Sequence, residues 1–161
     1  MNDKLMRFIY RDYQLFIALS ICLVTTIITS LRTVVGCAIS NGHLWGYWPG
    51  HVWSWITVRL MLLPVKVEGR ENIKAGESYV FVANHQGAFD IFLIYGCLTR
   101  NFNWMMKHQI RRIPLVGYAS QCAHHMFVDR GGASKIRKSY EQAREILREG
   151  MSLVVFPEGA R

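Results

Sequence analysis

The stretch Asn84-His85-Gln86-Gly87-Ala88-Phe89-Asp90 sets a histidine and an aspartate five residues apart. Imidazole takes up a proton near neutral pH, and a carboxylate bonded to one ring nitrogen fixes the tautomer and stabilises the imidazolium. A strand end followed by a Gly-bearing turn into a helix can fold Asp90 back onto His85. The chain has no G-x-S-x-G, and no Ser or Cys stands out as a covalent nucleophile. The pair therefore points to general-base catalysis on a substrate hydroxyl. Metal binding is the other use of His and Asp, but no third ligand stands at a recognisable spacing, so no metal is expected. His124-His125 adjoins a strand, where neighbouring side chains face opposite sides, and is read as structural.

Residues 100–138 hold eight basic side chains and one acid, Asp129. Arg137 and Lys138 read as a solvated face. Lys107 and Arg130 sit at strand ends beside the His-Asp pair and could hold a phosphate. Arg111 and Arg112 could reach anionic headgroups.

The elements that must position these residues follow from periodicity. Short strands are expected at Val65–Val67, Tyr79–Ala83, Asn103–Met106, His125–Val128 and Ser152–Phe156. Helices are expected at Asp90–Leu98, with Asp90 at or near the N-cap, and after Pro114 as far as Cys122. The clearest is Ala133–Arg148, with Ser134 as a possible cap and Ile136, Tyr140, Ala143, Ile146 and Leu147 as its apolar face. Strands alternating with helices imply an α/β fold with a largely parallel sheet. Asn84-His85, Lys107-His108, Asp129-Arg130 and Pro157-Glu158-Gly159 would then share the sheet's carboxyl edge, where open α/β sheets bind ligands.

Residues 1–63 read as a separate, membrane-anchoring unit, and 64–161 as the catalytic domain. Leu15–Leu31 is an uncharged run of 17 residues, roughly 25 Å as a helix and just short of a bilayer core of about 30 Å. His51–Leu63 is apolar apart from His51 and Arg59, and too short to span alone. Trp45, Trp48, Trp53 and Trp55 lie in or before it, as residues that favour a membrane–water interface. Lys4, Arg7 and Arg11 precede the first segment; Arg59, Lys66 and Arg70 end or follow the second, and no charge lies between Thr33 and Val58. The positive-inside rule puts both flanks on the cytoplasmic side and favours a helical hairpin that enters the membrane and returns. Val34-Val35-Gly36-Cys37 looks like a lipoprotein cleavage box, but the apolar run exceeds a signal core of about 7–15 residues and Arg32 interrupts it.

The 161 residues leave room for one domain plus an appendage, with 51% hydrophobic and 19% charged residues. Disorder is excluded on that composition. A net charge of +8 suits an anionic partner. Nucleic acid would explain the charge but not the apolar hairpin, and is not expected. Cys22, Cys37, Cys97 and Cys122 form no C-x-x-C pair and read as free, buried thiols in a reducing compartment.

The motifs together resemble the glycerolipid acyltransferases, in particular the 1-acylglycerol-3-phosphate (lysophosphatidic acid) acyltransferases. Asn84–Asp90 is similar to their N-H-x-x-x-x-D motif. Lys107–Gly117 is similar to K-x-x-L-x-x-x-P-x-x-G, Phe127–Arg130 to F-[IV]-[DR]-R, and Phe156–Arg161 to F-P-E-G-T-R, with Ala160 in place of the Thr. The resemblance covers about residues 52–161. It implies a glycerol-3-phosphate acyltransferase-like fold and attack of a lysophosphatidate hydroxyl on an acyl thioester carried by CoA or acyl carrier protein, with no cofactor. It implies His85 as base with Asp90 as its partner. Lys107, Arg130 and Arg161 become phosphate contacts, and Glu158 and Gly159 shape the acceptor pocket. The partners implied are membrane lipids and lysophosphatidic acid, at the cytoplasmic face of the cell (inner) membrane. Family members continue with further sheet and helix, so the resemblance also implies more chain beyond Arg161 and little activity without it. The same motifs serve acyltransferases for glycerol-3-phosphate and other lysolipids, and a non-catalytic membrane-bound module is the alternative from another class.

Overall fold

The computed structural model describes residues 3–40, 42–129 and 131–157. Helix α1 (Asp3–Ile39) is continuous over 37 residues, with π-helical winding at Tyr13–Ala18. It is long and apolar enough to cross a membrane by length and composition. Helix α2 (Gly42–Leu60) runs back along it. The Tyr10 hydroxyl donates to the Met61 carbonyl at 2.5 Å and the Tyr13 hydroxyl to the Leu60 carbonyl at 2.9 Å, so the start of α1 meets the end of α2. The two helices form a hairpin. Its second arm is longer than the sequence suggested, because helix persists through Pro49.

Close approach of the two arms depends on Gly36. A Cβ there would lie 2.3 Å from the Trp45 ring. The tryptophans divide: Trp48 and Trp55 are exposed, whereas Trp45 packs on Gly36 and Trp53 meets Phe92 at 4.8 Å between ring centres. Only part of the cluster is therefore available to an interface. The four cysteines are free, but half-buried rather than buried.

Beyond the hairpin come β1 (Val80–Val82), α3 (Phe89–Cys97), β2 (Phe102–Lys107), α4 (Val116–Cys122), β3 (Met126–Val128), α5 (Ala133–Arg148) and β4 (Ser152–Val155). The strand order is β1-β4-β2-β3 and every pairing is parallel, as the alternation of strands and helices requires. Val65–Val67 forms no strand among the described residues, and Val65 and Val67 remain exposed. Alternation along the strands splits the core in two. Phe102, Trp104 and Val154 face Tyr47 of α2 and Tyr95 of α3, while Met126 and Leu153 face Ile146 of α5. Only the C-terminal half of α5 reaches the sheet, so Ile136 and Tyr140 are exposed. Gly132 rather than Ser134 stands at its N-cap.

The tip half of the hairpin docks on the domain. The Tyr47 hydroxyl donates to the Leu98 carbonyl at 2.7 Å, His51 Nδ1 bonds the Tyr95 carbonyl at 2.7 Å, and the Tyr95 hydroxyl donates to the Gly46 carbonyl at 3.0 Å. Asn101 Nδ2 donates to the His43 carbonyl at 2.8 Å. The tip half thus lies against the end of α3.

Candidate active site

β1 ends at Val82, and its partner across the ladder is Val155. The chain then turns at Gly87 into α3. Asp90 lies near the N-cap as expected, one residue inside the helix that Ala88 caps. From the first turn its Oδ2 accepts N–H bonds from Gln86 at 2.6 Å and Gly87 at 2.9 Å, and a bond from His85 Nδ1 at 3.2 Å. The backbone donor of Gly87, with that of Gln86 and the imidazole, holds the Asp90 carboxyl below the usual carboxylate range. A carboxylate in that position keeps the proton of His85 on Nδ1 and leaves Nε2 free to accept one.

Phe156 follows β4 and stacks on His85, ring centres 4.3 Å apart and planes at 23°. Its other neighbour is Trp104, at 5.7 Å and 27°. His85 is therefore gripped by a carboxylate at Nδ1 and by an aromatic wall at its face. In the sequence Phe156 is only the end of the expected strand Ser152–Phe156 and the start of the F-P-E-G block. That it lands on His85 follows from the parallel β1–β4 register, which a single sequence does not print.

The carboxyl edge gathers the other candidates. Lys107 ends β2 opposite Val128, and Asp129 follows β3. His85, Lys107 and Asp129 line one cavity of about 650 Å³, within the roughly 300–1,000 Å³ usual for small-molecule sites. The Lys107 side chain is exposed and makes no hydrogen bond or ion pair with any described residue. Asp129 accepts from Lys135 Nζ at 2.7 Å and from the Gly131 N–H at 2.9 Å. Lys135, then Gly131, lower its pKa. Arg130, Glu158, Gly159 and Arg161 lie outside the described residues.

From this edge the cavity runs beneath the hairpin. Ile91, Trp104, Met106, Ile113, Val116 and Phe156 give it an apolar lining, and Thr26, Thr29, Ser30 and Thr33 of α1 close its far side. The hairpin, expected from the sequence to be an anchor alone, thus also contributes to the site. The spacing of those four residues, i, i+3, i+4 and i+7 on one face of a helix, is the available signal. Arg100 donates to the carbonyls of Lys74 and Glu77, and Arg111 Nε to Gln121 Oε1 at 2.8 Å. Among the described residues no group of three or more His, Cys, Asp or Glu is placed to hold a metal ion.

Residues 64–161 match a family model described as Acyltransferase. The chain belongs to the acyltransferase family. Among other acyltransferases, it is 30% identical over 147 residues to a 1-acyl-sn-glycerol-3-phosphate acyltransferase of Cocos nucifera, covering 86% of this chain and 45% of that protein. It is 28% identical over 155 residues to the protein of that name in Limnanthes douglasii, covering 92% of this chain and 53% of the other. The crystal structure of the 1-acyl-sn-glycerophosphate (LPA) acyltransferase PlsC from Thermotoga maritima superposes with a TM-score of 0.72 at 25% identity. It covers 98% of this chain and 63% of that one. The chain thus spans about half the length of the curated acyltransferases it matches.

Proposed function

We propose that this acyltransferase moves a fatty acyl group from an acyl thioester to the free hydroxyl of lysophosphatidic acid, giving phosphatidic acid. One observation carries the reading: a histidine with its Nδ1 on a carboxylate lines a largely apolar cavity large enough for a lipid chain. The His85 side chain is 30% exposed, so it stands where the cavity meets solvent. The acyl chain of the donor lies in the cavity with its thioester beside His85. The acceptor hydroxyl gives its proton to His85 Nε2 as its oxygen bonds to the thioester carbon. The carbon–sulfur bond breaks, and the imidazolium returns the proton to the leaving thiolate. Asp90 stabilises the imidazolium meanwhile.

Lys107 faces the phosphate of the acceptor, with Arg130 and Arg161 as further contacts and Glu158 and Gly159 shaping the acceptor pocket. The donor is an acyl-CoA or acyl carrier protein, and the reaction needs no cofactor. The apolar hairpin associates with the membrane. The site works at the cytoplasmic face of the inner membrane, where the lipid acceptor resides.

Radiolabelled palmitoyl-CoA offered with lysophosphatidate, glycerol-3-phosphate and lysophosphatidylcholine in turn tests the reading. Transfer to lysophosphatidate above the other two supports it. Preference for glycerol-3-phosphate or the choline lipid would move the assignment to another acceptor.

A further inference from the structure

The far part of the cavity is not lined as a hydrocarbon slot should be. Ser30, Thr33, Ser120 and His125 are each more than nine-tenths buried and all line it. They come from three separate elements: α1, α4 and the residue before β3. The hydroxyls of Ser30, Thr33 and Ser120 have no hydrogen-bond partner among the described residues, and none is sealed in protein, so they open onto the cavity. His125 Nδ1 accepts the Trp104 backbone N–H at 3.4 Å, which assigns its proton to Nε2, where it too lacks a partner. Burial keeps this imidazole neutral, with its pKa pushed down to about 4. Phe156 and Trp104 stand between His85 and His125, so this polar lining is set apart from the reacting end.

A saturated chain filling the cavity would strip water from these groups and offer nothing back. Each buried polar group left unpaired weakens binding by roughly fivefold to a hundredfold. Sites built to bond a substrate hydroxyl discriminate strongly against the analogue that lacks it. Three hydroxyls and one neutral N–H form a donor-rich set that suits an oxygen both accepting and donating, that is, an alcohol. We propose that the cavity selects an acyl chain bearing a hydroxyl group away from its carboxyl end. The proposal rests on the acyl-transfer reading, since it takes the cavity as the acyl site.

The test uses the 161-residue chain in phosphatidylglycerol-containing vesicles. Palmitoyl-CoA is compared with hydroxypalmitoyl-CoAs carrying the hydroxyl at successive chain positions, by equilibrium binding and by transfer to lysophosphatidate. A second arm puts the hydroxyl on the chain of the lysophosphatidate instead. The expected result is a window of donor positions at which the hydroxyl tightens binding about tenfold or more over palmitoyl-CoA, with no gain in the second arm. Thr33→Val keeps the side-chain shape and should cut that ratio several-fold, with Thr33→Ser restoring it; His125→Phe should act in the same direction. Equal binding of plain and hydroxylated donors at every position would overturn the proposal, as would a gain confined to the acceptor arm. Discriminating binding without transfer would uphold the site and refute the acyl-transfer reading, whereas transfer without discrimination would do the reverse.

Discussion

The imidazole of His85 and the phenyl ring of Phe156 lie 4.3 Å apart and 23° from parallel, although 71 residues of sequence separate them (156 − 85). The stack fixes the plane in which the Nδ1–Asp90 bond can form and therefore the direction in which Nε2 points. Contacts of this kind contribute about 0.5–1.5 kcal/mol beyond burial. Phe156→Leu is expected to lower kcat roughly three- to tenfold with little change in either KM, and Phe156→Tyr to restore most of it. A rise in KM with kcat intact would show that Phe156 serves binding instead.

Removing the base gives the larger effect. His85→Ala should cost about 10²–10⁴-fold in kcat, the usual range for general-base assistance. The side chain is partly exposed, so the far-ultraviolet circular dichroism spectrum should not change. Asp90→Asn should lose less than His85→Ala but remain severely impaired, because the amide can hold the wrong tautomer.

Asp90 also couples folding to pH. Its carboxyl pKa is lowered in the fold, chiefly by the Gly87 N–H. A depressed carboxylate pKa stabilises the fold above the unfolded value of about 3.9, and that contribution fades as pH falls through the lower folded value. Urea unfolding of the wild type and Asp90→Asn in detergent should show a stability gap that is full at pH 7 and shrinks below about pH 4. A gap that widens in acid would contradict this assignment.

Lys107→Ala is expected to raise the apparent KM for a phosphorylated acceptor several-fold more than that for the acyl donor. The residue lines the cavity beside the dyad and carries a charge that no described residue neutralises. Equal changes in both constants would remove the phosphate role.

Docking of the hairpin depends on Gly50. A Cβ there would come within 2.6 Å of the Tyr95 ring, and Tyr95 is buried with its hydroxyl held by the Gly46 carbonyl. Neither side can give way cheaply, and overpacking of this kind costs about 1–3 kcal/mol. Gly50→Ala should lower the melting temperature and increase proteolysis between α2 and β1. An unchanged melting temperature would mean that the hairpin docks more loosely than these distances indicate.

Much of this architecture was legible in the chain. Asn103–Met106 and Ser152–Phe156 announce their strands through apolar runs, because buried parallel strands are apolar on both faces; Tyr79–Ala83 has the same composition, but its strand ends the sheet order and leaves Val80 and Val82 exposed. The His85–Asp90 contact was legible because both partners are local, joined by one turn. Val65–Val67 has strand composition yet finds no partner strand among the described residues, since pairing is decided by distant chain rather than by propensity. Ile136 and Tyr140 obey the helical period but overhang the sheet, which periodicity cannot reveal. The placing of Phe156 on His85, and of Ser30 and Thr33 over the cavity, arises from register and docking between segments far apart in sequence. Such contacts are written in no single stretch.

The most direct test of the central claim is the rate of phosphatidate formation from radiolabelled palmitoyl-CoA and lysophosphatidate, measured side by side for the purified chain and His85→Ala in the same vesicles. The expected result is that the rate of phosphatidate formation, low as it is with the wild-type chain, falls by at least about a hundredfold in the variant. Equal rates for the two proteins would contradict the central claim.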